Sequence, residues 1–316
     1  MLFRVEIRGV LTGLGLVAVV LLAAISVRTG LPGQELLTSL RFHIGITLLA
    51  LPVLLALTGG HWRASLLAGL ICLSLGQGAL VVLGQLSKRA ELAQQQPVAS
   101  FRMLNFNVLA RNPRGAEIAD YIVRTLPDVA VILETPAIED EMGKLSALYP
   151  YRVGCESRAT CDLSLFSRTP LRDAVMYRPK PFLRERLIVA KTTIGGQEVT
   201  LVAVHLSKPY FDEAAQTELL QVQALLRSLD GPVVVSGDFN AAAWSDDLAA
   251  LVAGNDLVPP PRFVSTWPVE LGSFGVPIDN MFSRGGALIE DVEPLESAIG
   301  SNHRGLLARI SIMERP

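Results

Sequence analysis

Polar and apolar positions divide this chain into two unlike parts. Gly9 to Val27 and Ala64 to Leu86 contain no charged residue, and the run from Phe42 to Gly60 is interrupted only by His43 and Pro52. Each run is long enough for the ~20 residues that cross a hydrocarbon core. A single N-terminal run would also suit a secretory signal, but three in close succession do not. The pattern predicts a transmembrane region over residues 1–87, with about three helices near 9–27, 42–60 and 64–86. Pro52 and the Gly59-Gly60 link leave a re-entrant or interfacial helix as the alternative for the middle run. A polar, Gln-rich stretch ending in Pro97 follows, and residues 88–100 read as a linker.

Beyond it the periodicity changes. Short apolar runs predict strands at Phe101–Leu109, Asp128–Leu133, Leu163–Phe166, Leu187–Thr193, Val199–His205, Pro232–Ser236, Ile278–Phe282 and Leu306–Ile312. Helical spacing marks Gly115–Leu126, with a stripe of Ile118, Ile122 and Leu126, and Asp212–Leu229, where Asp212 is placed to cap the N-terminus. Strands outnumber helices and do not alternate strictly with them. That favours an α+β fold or a two-sheet sandwich flanked by helices, one domain over residues 101–316 with a single core.

Composition sharpens the division. Half of the 316 residues are hydrophobic, an excess that sits in the N-terminal runs. Residues 1–100 hold 7 Lys and Arg against 3 Asp and Glu, while residues 101–316 hold 21 against 27. An acidic domain lacks the broad basic footprint of a nucleic-acid binder, so nucleic acid is the less favoured partner, although a metal can supply positive charge locally. With three spans, Arg4, Arg8 and Arg63 would face one side and Arg28, Arg41, Lys88 and Arg89 the other, so positive charge barely decides the orientation. Cys155 and Cys161 suit either a small disulfide, which an oxidising compartment would preserve, or two unpaired thiols.

Candidate chemistry lies where apolar runs end. Residues 101–316 contain only two histidines, His205 in VAVHL and His303 in GSNHRG. Asn107, Glu134, Asp238, Asn240 and Asp279 likewise terminate apolar runs, in NFNV, VILET, SGDFN and PIDN. Strand ends that converge on one rim would collect these groups from distant sequence. Carboxylates with an amide are the hard oxygen ligands that Mg²⁺ or Mn²⁺ takes, and no cysteine-histidine cluster points to zinc. Asp279 would be costly to bury alone, and a histidine is its natural partner. A carboxylate on one imidazole nitrogen frees the other to take a proton from water. Arg168 and Arg304 are candidate phosphate contacts, and Trp267 a candidate wall of the binding cleft, each with an ordinary surface or core role as the alternative.

Taken in order, NFNV, VILET, LSLFSRTPL, VAVHL, SGDFN, PIDN and SNHRG resemble the endonuclease/exonuclease/phosphatase superfamily, which has the deoxyribonuclease I-like fold. The resemblance covers essentially all of residues 101–316. It implies a four-layered α/β sandwich of two packed mixed sheets flanked by helices. It also implies Mg²⁺ bound chiefly by Glu134, with Asn107 and position 302 nearby. Asp238 and Asn240 would position the nucleophile, phosphate or metal. His303, oriented by Asp279, would be the base or a phosphate contact, and His205 would bind the phosphate. The superfamily's usual Ser-Asp-His reads Ser301-Asn302-His303 here, which removes one negative charge from the metal's neighbourhood. The N-terminal helices resemble those of a bacterial branch, the vancomycin-resistance-associated membrane proteins, in which the domain faces outward.

The resulting expectation is a multi-pass protein of the inner (cell) membrane with a periplasmic or extracytoplasmic catalytic domain. It would hydrolyse a phosphodiester, phosphomonoester or pyrophosphate in a phosphorylated small-molecule or lipid-linked substrate. Tethering concentrates such an enzyme on membrane-borne substrate. The alternatives are an extracytoplasmic nuclease, or a catalytically impaired binding module, for which Asn302 is the best argument.

Overall fold

The computed structural model describes residues 2–156, 161–210 and 212–314. Two of its N-terminal helices, α1 (Leu2–Ser26) and α5 (His61–Leu92), are long and apolar enough to cross a membrane. Between them lie α2 (Gln34–Ser39), α3 (Arg41–Leu48) and α4 (Ala50–Leu57). The middle run expected as a third span is thus two consecutive helices, apolar over Arg41–Leu57 but shorter than either neighbour. Pro52 accounts for the break, because it has no N–H to offer Leu48 and its ring crowds that carbonyl. Leu11, Leu22, Leu55, Leu67 and Ile71 pack α1, α4 and α5 together. α5 continues to Leu92, and β1 begins at Pro97.

The remaining elements are β1 (Pro97–Asn107), α6 (Gly115–Thr125), β2 (Val129–Leu133), α7 (Met142–Ser146), β3 (Tyr151–Val153), β4 (Leu163–Ser167), β5 (Arg172–Tyr177), β6 (Leu187–Ile194), β7 (Gln197–His205), α8 (Ala214–Arg227), β8 (Val233–Asp238), α9 (Asp246–Gly254), β9 (Asp279–Arg284), β10 (Ala287–Pro294) and β11 (Leu306–Met313). They form a six-stranded sheet, ordered β10-β11-β1-β2-β4-β3, and a five-stranded sheet, ordered β5-β6-β7-β8-β9. Both sheets are mixed: β1 with β2 and β7 with β8 run parallel, and the other pairs antiparallel.

Alternation builds four layers. Phe101, Met103, Val131, Ala203, Val234 and Ile310 fill the space between the sheets. Leu104, Phe106 and Ile132 face the other way, onto Ile118 and Ile122 of α6. Val202, Val204 and Val235 face Val222 and Leu226 of α8 and Leu248 of α9. This is the four-layered α/β sandwich that the resemblance implied, an α+β arrangement whose two sheets are buried on both faces. Three strands were not predicted, β3, β5 and β10, and all three are sheet edges.

Candidate active site

Parallel pairing aligns the carboxyl ends of β1 with β2 and of β7 with β8. Asn107 therefore pairs beside Leu133, just before Glu134, and His205 beside Asp238. Antiparallel β9 begins at the same rim and sets Asp279 opposite Asp238. Gly237 makes this approach work: a Cβ there would lie 1.8 Å from the Val204 carbonyl oxygen, so only glycine lets β7 and β8 close up beside the site.

Asp238, only 1% exposed, lies at the centre of the cluster. Its Oδ1 accepts the Asn240 amide at 2.8 Å, and its Oδ2 accepts the Asn107 Nδ2 at 3.2 Å. The same Asn107 Nδ2 lies 3.2 Å from Glu134 Oε1, while Glu134 Oε2 accepts the Ala110 amide at 2.7 Å. Glu134 and Asn240 both adopt left-handed backbone, with φ of 55° and 51°. Asparagine tolerates that region; glutamate there carries a local cost of roughly 1–2 kcal/mol that surrounding structure must offset.

Two histidines flank Asp238 in matching fashion. His303 Nδ1 pairs with Asp279 Oδ2 at 2.8 Å and directs Nε2 to within 3.9 Å of Asp238 Oδ2. His205 Nδ1 pairs with Asp162 Oδ2 at 2.9 Å and directs Nε2 to within 4.0 Å of the same oxygen. Each carboxylate holds its imidazole with Nδ1 protonated and Nε2 turned toward the site.

The groups shift one another's protonation. Burial drives the Asp238 carboxyl up to about 6, assisted by the Asp279 charge and opposed by the two imidazoles and the Asn240 amide. Burial alone would depress the His303 imidazole, but the charge and hydrogen bond of Asp279, with the charges of Asp238 and Glu134, push it up to about 9. His205 is also raised: burial pulls it down, and the hydrogen bond and charge of Asp162 outweigh that. Burial likewise works against the Asp162 carboxylate, which His205 and Arg186 together hold below its ordinary range.

Asp162 and Arg186 are functional neighbours that the sequence reading missed. Arg186 Nε lies 3.0 Å from Asp162 Oδ2. Asp162 immediately follows Cys161, which is bonded to Cys155. Its only sequence signal was its place one residue before the LSLFS strand. Ser301 was also passed over; its hydroxyl donates to the Asn107 carbonyl at 2.7 Å and accepts the His303 amide at 3.0 Å, fixing the loop of His303 to the end of β1.

The structure disperses the proposed substrate contacts. Arg168 pairs with Asp128 at 3.2 Å. Asp128 precedes β2 and Arg168 follows antiparallel β4, so both sit at the end of the sheet away from Glu134, about 16 Å along a five-residue strand. Arg168 is therefore no part of this rim. Trp267 is partly buried against Ala242, Trp244, Val276 and Ile278, which also meet Phe42 and Val81 of the N-terminal helices. Its neighbour Thr266 does touch the site, accepting the Asp279 amide on its hydroxyl at 3.1 Å. Arg304 follows His303, and its amide donates to the Thr266 carbonyl. Asn240 Nδ2 is committed to the Leu206 carbonyl, so this residue acts in holding the rim.

Asp238, Asp279 and His303 offer ligand atoms within 4.8 Å of one another, a buried group that could hold a metal ion. Two buried acceptor oxygens, Asp279 Oδ1 and Asn302 Oδ1, have no hydrogen-bond donor. Clustered carboxylates with unpaired oxygens suit a hard divalent cation. His303 Nδ1 and Asp279 Oδ2 already bond each other, which suits proton handling, and Asn107 Oδ1 accepts the Leu109 amide at 3.1 Å. The Glu134 carboxylate with Asp279 Oδ1 and Asn302 Oδ1 are the oxygens open to a cation.

The Endonuclease/Exonuclease/phosphatase family pattern matches residues 103–303, and the chain belongs to this family, whose members are hydrolases acting on phosphoester bonds. A UPF0294 protein of Vibrio cholerae is 32% identical over 140 residues, 42% of this chain and 48% of that protein. The chain thus spans about half the length of the curated relatives it matches. The solved endonuclease/exonuclease/phosphatase of Beutenbergia cavernae superposes with a TM-score of 0.56 at 18% identity, over 69% of this chain and 73% of that one. A mutant beta toxin of Staphylococcus aureus, solved with bound magnesium ions, gives 0.52 at 12% identity, over 66% and 99%. At these identities the two structures share the fold.

Proposed function

We propose that this protein is a membrane-anchored, divalent-metal-dependent phosphoesterase acting on a phosphodiester, phosphomonoester or pyrophosphate at the membrane surface. The observation that carries the reading is the pair of carboxylate-oriented histidines whose Nε2 atoms converge on Asp238. In the metal-free protein His303 is held cationic by Asp279 and the neighbouring carboxylates. Beside a bound divalent cation that charge would be disfavoured, and the freed Nε2 would then take a proton from the attacking water while Asp279 holds Nδ1. His205 offers its Nε2 to a phosphoryl oxygen and balances the charge developing there. Asp238, between the two Nε2 atoms, holds negative charge beside them and would position the water.

Glu134 and Asn302, with Asn107 positioning the Glu134 carboxylate through Nδ2, would hold Mg²⁺ or Mn²⁺, which when bound neutralises phosphoryl and leaving-group charge. The magnesium in the beta toxin supports this choice of ion. With a neutral amide at position 302, the site carries one charge less than the superfamily's usual pattern. The apolar α1 and α5 support anchoring, and the Cys155–Cys161 bond supports an oxidising, extracytoplasmic location for the domain.

The test is hydrolysis of bis-p-nitrophenyl phosphate and p-nitrophenyl phosphate by the detergent-purified full chain. Turnover that needs Mg²⁺ or Mn²⁺ and disappears in His303→Ala is expected. Absence of turnover with every divalent ion would favour a binding module instead.

A further inference from the structure

The N-terminal helices dock on the rim that carries the catalytic groups. The segment leaving Asp238 and Asn240 gives its Ala242 amide to Ser39 Oγ and the Trp244 indole N–H to the Ser39 carbonyl, and takes Gln85 Nε2 on the Ala243 carbonyl. Phe42 meets Trp244 edge to face at 5.0 Å.

Two polar layers bound the apolar helices. In one, Arg8 lies against Gly59 and Gly60. In the other, the buried Arg41 guanidinium bonds the carbonyls of Ile25 and Ser74 and the Gln77 side chain. Arg8 to Ile25 on α1, and His61 to Gly78 on α5, each span about 26 Å at 1.5 Å per residue. That is close to the roughly 30 Å of a hydrocarbon core. A hydrocarbon core of that thickness would place its boundary on the domain's side near Arg41 or slightly beyond it, since Leu80 and Leu83 of α5 are exposed just past Gly78.

Past that boundary α5 travels along the domain. Val81 and Val82 pack at the catalytic rim, Arg89 bonds the Ile289 and Glu290 carbonyls, and Leu92 reaches Val258, Leu288 and Met313. Met313 pairs with Pro97, the end of β1 farthest from Asn107. The strands thus stand with their catalytic ends toward the bilayer and their other ends away from it.

Two loops on this rim carry exposed apolar tips, one on each flank of the cleft. Val269–Phe274 follows Trp267; Leu271 is 54% exposed and Phe274 78%. The loop is fixed on both sides: Val269 N–H donates to the Asn302 carbonyl, and the Phe274 carbonyl meets His43 Nε2 at 3.0 Å, already within α3. On the far flank, the β5–β6 loop reads Arg178-Pro-Lys-Pro-Phe-Leu-Arg-Glu-Arg186 and ends at the residue whose carbonyl accepts the His205 amide. Phe182 and Leu183 are exposed there beside Lys180 and Arg184, with the Arg184 guanidinium over the Phe182 ring. Cations around an apolar tip are out of character for this acidic domain, and they match a surface of anionic headgroups.

We infer that Leu271 with Phe274, and Phe182 with Leu183, enter the same bilayer leaflet on either side of the cleft, with Lys180 and Arg184 against anionic headgroups. The catalytic cleft then opens directly onto the membrane, and its substrate is a phosphate carried by a lipid of that leaflet. This rests on the membrane-anchored reading above.

The test uses the full chain with Cys72→Ser in phosphatidylcholine vesicles containing phosphatidylglycerol. A nitroxide is placed in turn at Phe274→Cys, Leu183→Cys, Leu73→Cys on α5, and Asp173→Cys at the far end of β5, and collisions with oxygen and with a water-soluble nickel complex are compared. Melting temperatures near the parent's show that each variant is folded. Labels at 274 and 183 are expected to resemble 73, rich in oxygen collisions and poor in nickel, with 173 water-like. Reversing Lys180 and Arg184 to glutamate should make the 183 label more nickel-accessible by several-fold; no change would overturn the anionic-lipid assignment. Water-like labels at 274 or 183, with 73 still in lipid, would overturn the inference and leave anchoring intact. A water-like 73 would overturn both.

Discussion

His303 is the residue on which the chemistry turns. His303→Ala should lower kcat/KM by about 10²–10⁴, the usual range for a lost general base, with the KM for a small substrate little changed. Its raised imidazole also has a consequence for stability. A histidine lifted from 6.5 to about 9 in the fold contributes stability that is fully present below pH ~6.5 and is lost as pH rises through about 9. With metal chelated, the parent's melting temperature should therefore fall between about pH 7 and 9.5, while that of His303→Gln stays flatter; parallel curves would contradict the His303–Asp279 pairing. Asp238, raised to about 6, has finished titrating below that window. Asn302→Asp should tighten Mg²⁺ binding several-fold, read as the metal concentration for half-maximal rate; an unchanged value would place residue 302 away from the ion. The strand-end polar residues were legible in the sequence because each interrupts an apolar run. Asp162 and Arg186 were not, because a loop residue paired with a distant histidine leaves no periodic trace. Arg168 was misread for a related reason: its strand runs antiparallel to β2, so its far end points away from the rim, and direction is invisible in a five-residue apolar run.

Among the elements, the approach of β7 to β8 and the docking of α2 on α9 are the most exposed to test. Gly237→Ala would drive a methyl into the Val204 carbonyl and should cost about 1–3 kcal/mol or more, measured by denaturant unfolding in detergent, with activity falling as the two catalytic strands separate. Glu35 of α2 accepts the Asp247 and Leu248 amides at 3.0 and 3.3 Å and the Ser245 hydroxyl, serving as a borrowed cap for α9. Glu35→Ala should remove roughly 1 kcal/mol, as a lost cap does, and loosen the helices from the domain; unchanged proteolysis between Ser87 and Pro97 would show that the contact is dispensable. The eight strands read from the sequence are those with nearly continuous apolar stretches, the pattern of sheets covered on both faces. β5 is a largely exposed edge with only a four-residue apolar run, Ala174–Tyr177, after Arg172 and Asp173; β3 has three residues, and β10 carries Glu290 and Asp291 at a register shift, so none of them offers that signal. The helix expected from Asp212 begins at Ala214 with Glu213 in the capping position, and Asp212, one residue earlier, accepts the Ala214 amide at 3.2 Å.

At the scale of the whole molecule, the sequence separated apolar helices from a mixed domain but held no sign of how they meet. The contacts that orient the catalytic rim, Ser39 with Trp244 and Gln85 with Ala243, join residues more than 150 positions apart. A reporter fused after Leu86 is expected to give an extracytoplasmic signal, and a cytoplasmic one would overturn that orientation. The central claim is narrower: side chains from β1, β2, β8, β9 and the final loop meet around one cation. Anomalous diffraction from crystals grown with Mn²⁺ tests it most directly. A peak is expected roughly 2.2 Å from a Glu134 carboxylate oxygen, beside Asn107 and Asn302 and within one water of Asp238 and His303. A fully occupied ion elsewhere on the protein, with no density at this cluster, would contradict it.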